Sequence, residues 1–189
     1  VRISIPTSGT SVTTVASGTD CINDYAETMY APYVAWAYEQ GITGGCQLDL
    51  FCTGDAVTRA QAASFLARAL ALPPATQDWF SDDDGRTHEA DINRLAEAGI
   101  TAGCGEGLYC PTEPMTRAQM ASLLVRALAL PAATTVDRFG DDDGTTHEAD
   151  IDALAEAGIT GGCATDRYCP TKPVTRGQMV TFLYRGLTE

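Results

Sequence analysis

The sequence predicts a mainly α-helical protein built from three tandem helical repeats. Three observations lead there. A Thr-Arg-x-Gln motif followed by an apolar run occurs three times, at Thr58-Arg59-Ala60-Gln61, Thr116-Arg117-Ala118-Gln119 and Thr175-Arg176-Gly177-Gln178. A Gly-Ile step closes a shorter amphipathic run three times, at Gly41-Ile42, Gly99-Ile100 and Gly158-Ile159. Three tight cysteine pairs, Cys46 with Cys52, Cys104 with Cys110 and Cys163 with Cys169, fall between these features at the same period. A repeat of 58 or 59 residues means that each unit is a supersecondary motif, one that buries its core only against its neighbours.

The motif is a helix start. Thr followed three residues later by Gln forms a capping box, in which the Thr oxygen and the Gln side chain each take an unpaired backbone N–H. The run behind Thr116 has helical spacing, with Ala121, Leu124 and Leu128 on one stripe beside Val125. The Arg stands at the first helical position, where the macrodipole disfavours a cation. Its recurrence at Arg59, Arg117 and Arg176 suggests a task. From chemistry alone an ion pair with a nearby carboxylate is preferred. The alternative is an anionic ligand held by the guanidinium together with free N–H groups of the helix start.

With 189 residues and a net charge of −13, the chain suits one compact domain or a few small repeats. The acidic balance argues against nucleic acid and anionic membranes, so an anionic ligand has to be held locally. No apolar run reaches the roughly 18 residues of a membrane span. The chain begins at Val1 without Met, as removal of an export signal or trimming would leave it. The cysteine pairs agree with export. Zinc fits them poorly, because zinc ligand pairs usually stand closer together, so three local disulfides in an oxidising compartment are expected. The protein is therefore expected to be secreted, at the cell surface or extracellular.

Residues 1–19 are rich in Ser, Thr, Val and Gly and carry no acid. They read as a linker or an extended arm, either a flexible tail or a β-prone strand that adds to a neighbouring molecule. Repeats follow at 20–72, 73–131 and 132–189. The second shows the layout: Phe80, an acidic loop, a helix over His88 to Ala98, a Gly stop, a Gly-rich cysteine loop, the capping box and the second helix. The third matches it almost residue for residue. The first diverges, with Tyr33, Trp36 and Tyr38 in its first helix and Ile22-Asn23-Asp24 instead of a triple Asp. Cys21 is the odd cysteine, either a buried thiol or a link to a covalent partner.

Two acidic loops, DDDGRTHE and DDDGTTHE, suggest calcium. Asp82, Asp84 and Glu89, or Asp141, Asp143 and Glu148, offer hard oxygen ligands around a turn at Gly85 or Gly144. The plainer reading is that Asp and Thr cap the next helix. Calcium is the sole cofactor suggested. His88 and His147 have no nucleophile recurring with them, so a structural role is expected and no enzyme activity.

The succession of Phe and Asp, amphipathic helix, Gly-Ile, cysteine loop, Thr-Arg-Ala-Gln and apolar helix resembles the S-layer homology family. YAPYVAWAYEQGITGG and VTRAQAASFLARAL are especially close to it, and the resemblance covers residues 20 to 189. The cysteine loop and HEADI are similar to a form seen in high-GC Gram-positive bacteria. The resemblance implies a pseudo-threefold unit with a central three-helix bundle. Grooves between repeats would bind cell-wall polysaccharide and anchor the protein to the envelope. It implies that Arg59, Arg117 and Arg176 contact an anionic sugar, which reverses the preference for an ion pair. Two departures stand out: Gln replaces the family's usual Glu, and no aromatic follows His88 or His147. Tyr33 and Trp36 are then candidate stacking residues in the first repeat, although Trp36, on a helical stripe, reads equally as a core residue. The alternative function is a self-assembling lattice or filament subunit that uses residues 1–19 and Cys21 for contacts between copies.

Overall fold

The computed structural model describes residues 24–134 and 137–188. The expectations for the arm at 1–19 and for Cys21 fall outside them. The described residues form six α-helices: α1 (Ala31–Glu39), α2 (Arg59–Ala69), α3 (Glu89–Glu97), α4 (Arg117–Leu128), α5 (Glu148–Glu156) and α6 (Arg176–Thr188). Extended pairing among these residues is limited to isolated bridges.

The long helices start where the capping boxes predict. Thr58 accepts from Gln61 N–H while Gln61 accepts from Thr58 N–H, and Thr116 with Gln119 repeats this. Thr175 and Gln178 make the same two bonds at 3.2 and 3.3 Å. The short helices end at Gly41, Gly99 and Gly158, with φ of 68°, 71° and 76°. Ile42, Ile100 and Ile159 behind them are buried, so the left-handed glycine turns an apolar residue back onto the last turn.

Packing is offset from the sequence repeat by half a unit. The second helix of each repeat packs on the first helix of the next, α2 on α3 and α4 on α5, and α6 returns to α1. The three second helices gather at the centre, with α2 and α4 both against α6. Leu66 and Leu124 on these central helices, and Leu95 and Leu154 on the short helices packed against them, are fully buried, each stabilising by about 1.5–3 kcal/mol.

A cycle of backbone hydrogen bonds closes the unit. Val57 N–H donates to Val174 O (2.8 Å), Val174 N–H to Met115 O (2.8 Å), and Met115 N–H to Val57 O (2.9 Å). All three side chains are fully buried. Each repeat thus gives one bond and receives one, as pseudo-threefold symmetry requires.

Repeat 3 carries Gly177 where the others have Ala60 and Ala118. A Cβ built at Gly177 would lie 2.6 Å from the ring of Tyr30, so the close approach of that ring excludes a methyl group.

Candidate functional site

The motif arginines lie at the three seams. Each begins a central helix in one repeat and reaches the cysteine loop of another. Arg59 Nε donates to Tyr109 O (2.8 Å), Arg117 Nε to Tyr168 O (2.8 Å), and Arg176 Nε to Phe51 O (2.7 Å). Each guanidinium also covers the ring of that same aromatic, at 4.8, 4.6 and 4.7 Å. Phe182 and Phe65 provide a second ring for Arg117 and Arg176. The tyrosine hydroxyls return the contact, Tyr109 donating to Arg59 O and Tyr168 to Arg117 O.

This arrangement corrects two expectations. The ion pairs among the described residues involve Arg68, Arg94 and Arg167, and none involves a motif arginine. Nor are the first N–H groups of the central helices free for an anion. Arg59 N–H donates to Glu113 O and Ala60 N–H to Pro111 O. The same contacts run from Arg117 and Ala118 to Lys172 and Pro170, and from Arg176 and Gly177 to Asp55 and Thr53. The neighbouring repeat therefore satisfies the N-terminus that a ligand would otherwise use.

What remains open is guanidinium. Arg117 and Arg176 are 4% and 5% exposed, and Nη2 of each is buried without a hydrogen-bond partner. Burial pulls both groups below the ordinary arginine value. A buried cationic donor lacking an acceptor is costly, and an anionic oxygen at the seam would relieve it.

Arg176 faces a cleft of about 210 Å³ to which all three repeats contribute, with Thr43, Asp55, Gln61, Ser64, Arg68 and His88 in its wall. A second cleft of about 360 Å³ is also lined by His88, with Thr58, Arg86, Thr87 and Thr112. His88 Nδ1 is 2.8 Å from Ser64 Oγ, and His147 Nδ1 is 2.8 Å from Ser122 Oγ. Ser122 also donates to Asp150. Burial lowers the pKa of His88. Both histidines thus tie a short helix to the central helix of the preceding repeat.

Tyr33 and Trp36 are half-buried and stand edge-on to Tyr184 of α6, at 5.1 and 5.5 Å. They help hold α1 on α6, and neither lines the two clefts.

The three adjacent aspartates in each acidic loop have three different roles. Asp82 accepts from Tyr109 N–H (2.7 Å) and Cys110 N–H (2.8 Å), and Asp141 does the same for Tyr168 and Cys169. These carboxylates clamp the cysteine loops and do not join the expected ligand sets. Asp24 makes the equivalent contacts with Phe51 and Cys52, so it occupies the first position of the triple Asp and is followed by Tyr25 and Ala26. The middle residues, Asp83 and Asp142, are fully buried, and burial pushes each carboxyl up to about 6. Asp84 gathers with Asp78 and Glu89, and Asp143 with Asp137 and Asp142. Asp and Thr do not cap α3 or α5 through their side chains, for each helix starts at a histidine without a capping bond. Instead Glu89 accepts from Gly85 N–H, and Glu148 from Gly144 N–H. Reading the sequence missed Asp78 and Asp137, although their recurrence 59 residues apart was a signal.

The cysteine loops carry the three expected disulfides, Cys46–Cys52, Cys104–Cys110 and Cys163–Cys169.

A family model described as the S-layer homology domain matches residues 22–63, 80–121 and 138–180. The chain is 31% identical over 158 residues to an S-layer protein of Bacillus thuringiensis subsp. finitimus, covering 79% of this chain and 19% of that protein. It is 36% identical over 106 residues to an endoglucanase of Bacillus sp. (strain KSM-635), covering 56% and 11%. A middle cell wall protein of Brevibacillus brevis is 28% identical over 137 residues, covering 66% and 13%. The chain spans about a fifth or less of the length of these relatives.

Proposed function

The chain belongs to the S-layer homology family, and from that premise we propose that it is a non-catalytic module that binds an anionic cell-wall polysaccharide at its seams and so anchors to the envelope. Its place is the cell surface or the extracellular space. No helix of the described residues is long and apolar enough to cross a membrane. The observation that carries the ligand class is the pair of buried, unpartnered Nη2 groups on Arg117 and Arg176. A carboxylate on a sugar would supply the missing acceptor, and Gln61, Ser64 and Arg68 in the cleft would hydrogen-bond its hydroxyls. The endoglucanase resemblance covers 11% of that enzyme, and no enzymatic activity is proposed here.

The test is co-sedimentation with purified wall polysaccharide. Wild-type protein is expected to sediment with it. A variant carrying Arg59→Ala, Arg117→Ala and Arg176→Ala, shown to be helical by circular dichroism, is expected to stay in solution, and Arg68→Ala to bind more weakly. Undiminished binding by the folded triple variant would refute the assignment. The reading as a self-assembling subunit rests on residues 1–19 and Cys21. Its test is whether deletion of 1–19 turns an assembled species into a monomer.

A further inference from the structure

Asp142 is fully buried, and neither of its carboxylate oxygens receives a hydrogen bond from another residue. Asp83, its counterpart 59 residues earlier, is in the same state. An ionised carboxylate out of water and without a partner is strongly disfavoured. No ion pair among the described residues reaches either group. What surrounds them is further negative charge. Ligand oxygens of Asp137, Asp142 and Asp143 lie within 4.8 Å of one another, as do those of Asp78, Asp84 and Glu89. Oxygens bound to one calcium ion at about 2.3–2.6 Å stand no more than about 5 Å apart, so both groups already have the span of a coordination shell.

We propose that each acidic loop holds one divalent cation, calcium by preference. In repeat 3 the ligands are Asp137, Asp142 and Asp143, with Glu148 beside them. In repeat 2 the gathered ligands are Asp78, Asp84 and Glu89, with the buried Asp83, the counterpart of Asp142, next to Asp84 in the chain. The donors are all carboxylate oxygens, which excludes a soft-metal site. Part of each cluster is exposed, so water completes the shell, and an irregular carboxylate set suits calcium better than the strict octahedron of magnesium. Repeat 1 supplies an internal contrast. There Tyr25 and Ala26 follow the clamping Asp24, and Ala31 stands where Glu89 does, so three of the four ligand positions carry no carboxylate and only the position of Asp78 keeps one, as Asp20. The chain therefore takes two ions, not three. This inference does not depend on the glycan reading.

The experiment is calcium titration of the chelator-stripped full chain by calorimetry, with melting followed in parallel. Two ions per chain and a melting temperature raised by several degrees are expected. Asp142→Asn should bind one ion, and Asp83→Asn with Asp142→Asn none. In chelator the Asn variants should melt at or above wild type, because an amide replaces a buried charge. Terbium provides a second readout on a chain with an unaltered site. Its luminescence, sensitised by Trp79 next to Asp78 and by the nearby tyrosines, should appear with wild type, fall on adding calcium, and be weakened in Trp79→Phe. Absence of both heat and terbium signal at millimolar metal would overturn the proposal. So would two retained sites in the folded double Asn variant, or a stronger response to magnesium than to calcium.

Discussion

Arg176 Nε donates to the carbonyl of Phe51, 125 residues earlier in the chain, at 2.7 Å, and the same guanidinium covers the Phe51 ring. This contact joins the third repeat to the first. A hydrogen bond from a charged donor is worth about 1.5–3 kcal/mol, and a desolvated cation–π contact up to about 2. Arg176→Ala should lower the free energy of unfolding by roughly 2–3 kcal/mol, seen as a reduced urea midpoint. Arg176→Lys should not restore it, since an ammonium lacks the fork that bonds and stacks at once. A loss under about 0.5 kcal/mol would show that the seam is held by something else.

Gly177→Ala tests the approach of Tyr30. By helix propensity alone alanine should stabilise by about 1 kcal/mol. The added methyl would lie 2.6 Å from the Tyr30 ring, so a net destabilisation of about 1–3 kcal/mol is expected. Thermal melts decide it, and Gly177→Ala should recover stability in a Tyr30→Leu background.

Tyr109→Phe removes the hydroxyl that donates to Arg59 O at 3.0 Å. Tyr109 is fully buried, so the carbonyl is left without that donor and stability should fall by about 1 kcal/mol. A double-mutant cycle of Tyr109→Leu with Arg59→Ala, which together remove the ring and the guanidinium, should show a coupling of roughly 0.5–3 kcal/mol. Strict additivity would mean that ring and guanidinium act independently.

Replacing Cys104 and Cys110 by Ser opens a loop whose ends are six residues apart in sequence. The chain-entropy model gives roughly 2 kcal/mol for a loop this short. Asp82 still clamps Tyr109 and Cys110 N–H, so the variant should stay folded and melt in a single, lower transition. Loss of native circular dichroism would mean that the disulfide, not Asp82, sets the loop.

The helix starts and stops could be read from the sequence because their causes are local. Thr58 and Gln61 act on backbone within one turn, and Gly99 acts on its own φ. The resemblance supplied the ring of three. The acceptor of each motif arginine could not be read, because a backbone carbonyl 50 to 125 residues away leaves no mark in residue type. A run of identical aspartates likewise conceals that Asp82 clamps a loop, Asp83 is buried and Asp84 joins a cluster. Two signals were present and passed over: Gly177 in place of alanine, and the recurrence of Asp78 as Asp137.

The cycle through Val57, Met115 and Val174 limits how such a protein can change over generations. Loss of one copy takes a donor from one survivor and an acceptor from the other, and a fourth copy has no vacancy to fill. Single gains and losses are therefore penalised, and the heritable unit is the complete trio.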